Sequence, residues 1–279
     1  MTELKPIRPA STLVLCRDGK RGLEIYMLRR SSRSSFMANV MVYPGGALEP
    51  GDRVLASTPE VGGKRLLWND SELRALAIAG IREAYEEAGV LCADFRQAPS
   101  TEVLRDARSS LLDGSVGFEE VLRTLGALLR LDDVWYFARW VTPNWETKRF
   151  DARFFLVEAP RDQVASSDER ETEVGAWLTP QGAIDAYERG ELILSPPTWS
   201  TLMDLRGCRD VSAARVFAQR ALPSPILPHM TEMYASKVVL LPGDEAYPEG
   251  LDPRVDTALR AAPSRTRIHI VDGRFRELG

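Results

Sequence analysis

The run Arg82-Glu83-Ala84-Tyr85-Glu86-Glu87-Ala88-Gly89-Val90 places three carboxylates and an arginine within little more than two helical turns. At about 100° per residue, Glu86 and Glu87 lie within roughly 60° of Glu83 on either side, so the three acids share one face. They repel one another, and a cation relieves that repulsion. Clustered carboxylate oxygens are the ligands that hard ions such as Mg²⁺ or Mn²⁺ prefer. Arg82, four residues before Glu86, is close enough to hold its carboxylate without occupying the metal. On these residues alone, a solvated acidic face reads equally well.

The element that must carry these acids is a helix. Asn69 followed three residues later by Glu72 predicts a capping box, and Gly89 can take the left-handed conformation that ends a helix. Ala77, Ile81, Ala84, Tyr85 and Ala88 fall opposite the glutamates and should pack on a core.

Upstream, Tyr43-Pro44-Gly45-Gly46-Ala47-Leu48-Glu49-Pro50-Gly51-Asp52 reads as a strand end entering a glycine-rich loop. Loop and helix together resemble the Nudix signature, G-x5-E-x7-R-E-U-x-E-E-x-G-U with U apolar. Gly46 fits the first glycine, and Arg82, Glu83, Glu86, Glu87, Gly89 and Val90 fit the second half. Five fixed residues in the helix half should recur by chance on the order of once per million start positions at average composition. Two departures stand out. Asp52 occupies the glutamate position, and Arg53 to Ile81 is much longer than the seven residues of the signature. Closing a longer loop costs only about 0.6 kcal/mol per doubling, so a split box is tolerable.

Insertions at this place occur in the coenzyme A diphosphatases, a branch this chain resembles elsewhere. Arg30-Ser31 and Tyr43-Pro44-Gly45-Gly46 keep that branch's spacing, although Ser35 and Asn39 replace its arginine and glycine. Trp140-Val141-Thr142-Pro143 followed by Lys148-Arg149-Phe150 looks like the same branch. Arg30 and Arg33, and Arg149 and Arg153 on one face of a strand, are the candidate phosphate contacts. A basic sheet edge or a solvated sheet face explains the same arginines without a ligand. Glu171-Thr172-Glu173-Val174-Gly175-Ala176-Trp177 resembles an acidic loop before a Nudix strand, which makes Glu171 the candidate additional catalytic residue, followed by Glu169 and Glu173.

The resemblance implies a Nudix α/β/α sandwich with a mixed sheet, covering roughly Pro9 to Leu205. It also implies hydrolysis of a nucleoside diphosphate linked to another moiety. Glu83, Glu86 and Glu87, with the Gly45 carbonyl, would hold Mg²⁺ or Mn²⁺. Glu83, Glu86 and Arg82, with Glu171, would make up the catalytic set. Coenzyme A or an acyl-CoA is the expected substrate. Dinucleotides such as NADH and ADP-ribose remain alternatives, as does a non-catalytic nucleotide sensor, although a pure binder has little need of three repelling acids.

The rest of the chain sets limits. Its 279 residues, 44% hydrophobic and 27% charged, suit a globular protein with a substantial core. A net charge of −4 offers no general field for nucleic acid or anionic membrane. Cys16, Cys92 and Cys208, odd in number and far apart, suggest neither a disulfide framework nor a zinc knot, which points to the cytoplasm. No signal core, membrane-length run or C-terminal peroxisomal address is present. Two histidines outside any nucleophile motif give little support to a Ser-His or Cys-His mechanism.

Along the chain, Ala10 to Arg17 and Leu23 to Arg29 predict a hairpin turning at Asp18-Gly19, and Val40 to Tyr43 a strand. Residues 53–69 look like a surface excursion. Within a second insert at about 97–130, Ser100 to Leu112 and Phe118 to Leu129 predict a helical hairpin that could cap one side of the site. Seven of the eighteen prolines follow Leu222. The expected division is therefore a Nudix domain over 1–221 and an extension over 222–279 that packs on it or on a second subunit, as in a homodimer.

Overall fold

The computed structural model describes residues 5–31, 39–167, 172–220, 222–233, 236–257 and 264–277. Its central sheet begins with β1 (Ile7–Gly19), β2 (Gly22–Arg30), β3 (Val40–Val42) and β4 (Gly45–Ala47), followed by helix α1 (Pro50–Leu55). After β5 (Val61–Gly62) comes the long helix α2 (Ser71–Ala88). Then follow β6 (Asp94–Phe95), α3 (Thr101–Leu112), α4 (Phe118–Leu125) and β7 (Ala127–Arg130). The chain returns to the sheet with β8 (Val134–Val141), β9 (Arg149–Glu158) and β10 (Thr172–Leu178). Helix α5 (Pro180–Glu188), β11 (Ile193–Leu194), α6 (Pro196–Leu205) and α7 (Val211–Ala218) come next. The last described strands are β12 (Pro225–Ile226), β13 (His229–Met233), β14 (Ser236–Leu240), β15 (Arg267–Val271) and β16 (Arg274–Arg276).

The main sheet is mixed, in the order β11-β3-β2-β1-β9-β8-β12, with β10 also on β2 and β4 also on β1. Strand alternation divides the core into two layers. Leu13, Leu15, Tyr26, Leu28, Phe155 and Val157 face α2 and the α3–α4 hairpin. Val14, Cys16, Ile25, Met27, Phe154 and Leu156 face α5, α6 and α7. This is the expected α/β/α sandwich. The final strands form their own antiparallel sheet, β13-β14-β15-β16, yet Val239, Leu241 and Ile268 join the second core layer.

Several local expectations shift. The β1–β2 register pairs Gly19 with Gly22, so the turn falls at Lys20-Arg21 and not at Asp18-Gly19. Asp18 instead accepts the Val211 N–H at 2.8 Å, at the start of α7. Residues 126–129 leave the second helix of the hairpin, because Gly126 turns left-handed and β7 pairs with β5 and β6. Residues 53–69 are a built segment: Arg74 bonds the Ala56 and Val61 carbonyls, and Arg53 pairs with Glu72 at 2.8 Å.

Candidate active site

Helix α2 is capped one residue later than its sequence suggests. Asp70, not Asn69, accepts the Glu72 and Leu73 N–H groups at 3.0 and 3.1 Å. Gly89 ends the helix with φ +67°, as expected. Ala77, Ile81, Ala84, Tyr85 and Ala88 are all 0% exposed. The glutamates are thereby left on the flank that meets β4.

β4 is placed by β1, in a register opposing Ser11 to Gly46 and Thr12 to Gly45. The Gly45 N–H donates to Glu87 Oε2 at 3.0 Å. Glu83 lies directly against Gly46, where any Cβ would collide with its carboxylate. Loop and helix of the split signature therefore meet, across the intervening segment.

Arg82 is the hub. Its Nε donates to Asp52 Oδ1 at 3.0 Å and its Nη2 to Asp52 Oδ2 at 3.1 Å. Its Nη1 donates to Glu83 Oε1 at 2.9 Å and Glu86 Oε1 at 3.2 Å, and Nη2 also reaches the Ala47 carbonyl at 3.1 Å. The expected hold on Glu86 is present, but the two-point partner is Asp52, which the sequence marked only as a departure. Asp52 also accepts the Glu49 N–H at the start of α1. Arg82 is buried beneath the carboxylates, so its place is that of a positioning residue.

The electrostatics follow from burial. Removal from water and the neighbouring Glu86 push the Glu83 carboxyl up to about 7 despite the Arg82 guanidinium, and burial raises Glu86 as well. One guanidinium thus faces Asp52, Glu83 and Glu86. An all-oxygen set short of positive charge suits a hard divalent cation, and the missing Cβ of Gly46 is what lets the Glu83 carboxylate lie against the glycine strand. In the present rotamers the acids are spread between Arg82 and the Gly45 amide. No group of three His, Cys, Asp or Glu is gathered as in a metal site among the described residues.

The arginine candidates separate. Arg153 opposes Ser11 in the β1–β9 register, and Ser11 opposes Gly46, so the three lie in one row across the sheet. It pairs with Asp151 at 2.6 Å, and Asp151 also binds Arg139 at 2.8 Å. Arg149 shares that face but is not placed to meet a phosphate. Its side chain is 0% exposed, paired with Asp252 at 2.7 Å and bonded to the Thr142 carbonyl at 2.8 Å. A ligand would have to displace Asp252, so Arg149 is corrected from a substrate contact to an anchor of the C-terminal segment. Arg30 ends β2 opposite Thr172. Arg33, Glu169 and Glu171 lie outside the described residues.

Two open depressions, of about 570 and 500 Å³, lie elsewhere, one beside α6 and α7 and one beside Cys92 and Arg161. Neither is lined by the glutamates, so side-chain chemistry and not cavity size locates the site.

A mixed sheet between helix layers, with an Arg-Glu-x-x-Glu-Glu helix closed on a glycine strand, is the arrangement of a Nudix domain. The chain belongs to the family described as the NUDT19 Nudix domain, whose model it matches over residues 64–205, just over half its length. It is 28% identical to the acyl-coenzyme A diphosphatase NUDT19 of Gallus gallus, over 82% of this chain and 74% of that one. The protein of the same name from Xenopus laevis is 24% identical, over 91% and 80%. A crystal structure of a NUDIX hydrolase from Alicyclobacillus acidocaldarius superposes with a TM-score of 0.68 at 27% identity, covering 76% of this chain and 96% of that one. No helix among the described residues is long and apolar enough to cross a membrane.

Proposed function

We propose that the protein hydrolyses the diphosphate of coenzyme A or an acyl-CoA, giving 3′,5′-ADP and the corresponding phosphopantetheine. The observation that carries this reading is the closure of Glu83 and Glu87 onto Gly46 and Gly45, with Arg82 beneath, in a chain of the NUDT19 Nudix family. The similarity to acyl-coenzyme A diphosphatases over most of both chains supports the choice of substrate.

Glu83, Glu86 and Glu87, with the Gly45 peptide, would hold Mg²⁺ or Mn²⁺. Such an ion polarises a diphosphate and lowers the pKa of water. The protein's own part is positional. Arg82 fixes two of the three carboxylates, and the Gly45 N–H fixes the third. A glutamate of α2 or of the Glu169–Glu173 segment takes the proton from the attacking water. Arg153, half-buried in the row of Gly46, offsets charge on the departing phosphate. No covalent intermediate on the protein is needed. The three free cysteines suit a reducing compartment such as the cytoplasm.

The test is product analysis with coenzyme A, ADP-ribose and NADH in Mg²⁺ or Mn²⁺, beside a Glu86→Gln/Glu87→Gln control. Formation of 3′,5′-ADP and phosphopantetheine by the wild type alone is the expected result. Cleavage of ADP-ribose or NADH in its place would keep the mechanism and reject the substrate. Metal binding without turnover would favour a sensor.

A further inference from the structure

The α3–α4 hairpin does more than fill space beside α2. Helix α2 turns out of its path at Gly89, whose N–H bonds the Tyr85 carbonyl, while the Val90 N–H returns to Ala84. The Glu86 carbonyl is therefore one of the acceptors left over at the helix end. Arg108 of α3 takes it, with Nε at 3.0 Å and Nη2 at 2.8 Å. The same guanidinium reaches Ser166 Oγ and the Ser166 carbonyl, each at 3.2 Å. Ser166 in turn donates its N–H to the Ala88 carbonyl at 2.8 Å. One side chain thus joins three pieces of chain: the inserted hairpin, the last turn of α2 and the segment that follows β9.

Gly89 makes this possible in two ways. Its left-handed backbone ends the helix, and its missing Cβ leaves room for Arg108, whose Nη1 would lie 2.9 Å from a β-carbon there. A cation at a helix C-terminus is favourable on its own, and its hydrogen bonds are charge-assisted. What it pins is the main chain of Glu86, the residue next to Glu87 and one turn beyond Glu83. Carboxylates that must converge on one ion depend on the backbone that carries them, and helix ends fray unless tied.

We propose that Arg108 is a positioning residue for the reaction: by capping the Glu86 carbonyl and bridging it to Ser166, it holds the Glu86–Glu87 turn in the geometry that binds the divalent ion. This rests on the metal-dependent reading above. The hairpin has other attachments that survive loss of the guanidinium. The Tyr85 hydroxyl bonds the Leu104 carbonyl, and Leu104, Phe118, Val121 and Leu122 are buried in the first core layer. The fold should therefore stand without Arg108.

The experiment compares full-length wild type with Arg108→Gln and Arg108→Lys. Binding of Mn²⁺ alone is followed by the loss of its free-ion EPR signal, and kcat and KM are measured with coenzyme A. Groups that orient metal ligands are typically worth about 10–100-fold in affinity or activity, and that loss is expected for Arg108→Gln in both Mn²⁺ affinity and kcat, with KM within about threefold. Lysine keeps the charge but lacks the planar fork that meets the Glu86 carbonyl with two N–H groups while reaching Ser166, so Arg108→Lys should lose about 3–10-fold. Mn²⁺ affinity and kcat within about twofold of wild type in a folded Arg108→Gln protein would overturn the proposal, as would a change confined to KM. If that variant does not fold, Arg108→Lys decides alone: its expected loss supports the clamp, and wild-type affinity rejects it. Wild-type protein that binds Mn²⁺ but cleaves no nucleotide refutes the functional reading, and the binding comparison still decides the clamp.

Discussion

Asp52 and Arg82 form a two-point ion pair, 3.0 and 3.1 Å, with side chains only 1% and 5% exposed. It is the joint between the glycine loop and the glutamate helix. Removing Asp52 strips Arg82 of its two-point partner but leaves it Glu83 and Glu86, so the cost is that of unsatisfied buried donors, about 1–3 kcal/mol, and not that of a wholly unpaired buried charge. Asp52→Ala should lower denaturant stability by that order and also reduce turnover, because Glu83 and Glu86 take their orientation from the same guanidinium. A stable, fully active Asp52→Ala protein would show that the joint is dispensable.

Gly46→Ala should behave differently. The new methyl group meets the Glu83 carboxylate, the free end of a flexible side chain, so the fold absorbs it. Glu83 cannot stay where it is. We expect a melting temperature near wild type and a fall in kcat on the order of 100-fold, the scale seen when one group stabilising transition-state charge is lost. Unchanged kcat would mean that Glu83 does not act from beside Gly46.

The two strand arginines give a direct contrast. Arg153→Ala removes one of two arginines on Asp151 and should leave stability nearly intact. It should lower kcat/KM for coenzyme A by on the order of tenfold, about the value of one charge-assisted hydrogen bond to the departing phosphate. Arg149→Met should instead cost about 1–3 kcal/mol of stability, because Asp252 keeps Arg254, and leave kcat/KM alone, since Arg149 serves Asp252. The reverse pattern would restore Arg149 as the phosphate contact.

The same anchor predicts a pH dependence. Hydrogen bonds from Arg254 and Arg149 hold the Asp252 carboxyl well below the usual carboxylate range. A depressed acid stabilises the fold above its unfolded pKa, near 3.9, and that contribution fades as pH falls below it toward the folded value. Asp252→Asn should therefore lose more stability at pH 7 than at pH 3 relative to wild type, measured by urea unfolding. An equal loss at both pH values would assign the effect to packing.

The site was readable in the sequence where it depends on periodicity and backbone freedom. The 3.6-residue repeat put Ala77, Ile81, Ala84, Tyr85 and Ala88 on the buried side, which left the glutamates grouped, and Gly89 marked the helix end. Partners distant in sequence were not readable. Nothing local distinguishes Arg149 from Arg153, two positions with the same parity on one strand, because the difference is Asp252, a hundred residues away. Arg108 carried no signal for the same reason. The N-cap at Asp70 and the turn at Lys20-Arg21 are one- and two-residue shifts, since the flanking residues were equally able to cap or turn.

The parts of the candidate site are tied by contacts that span 30 residues from Asp52 to Arg82 and 42 from Gly45 to Glu87. Its glycine strand exists only once β1 is there to pair with it. Contacts of this range form after the loop between them has closed, so they slow folding and come late in it. Helix α2 can form early from its own cap and repeat, but the chain should recover secondary structure on refolding before it recovers the closed site. The long connection that splits the signature thus bears on when the site forms.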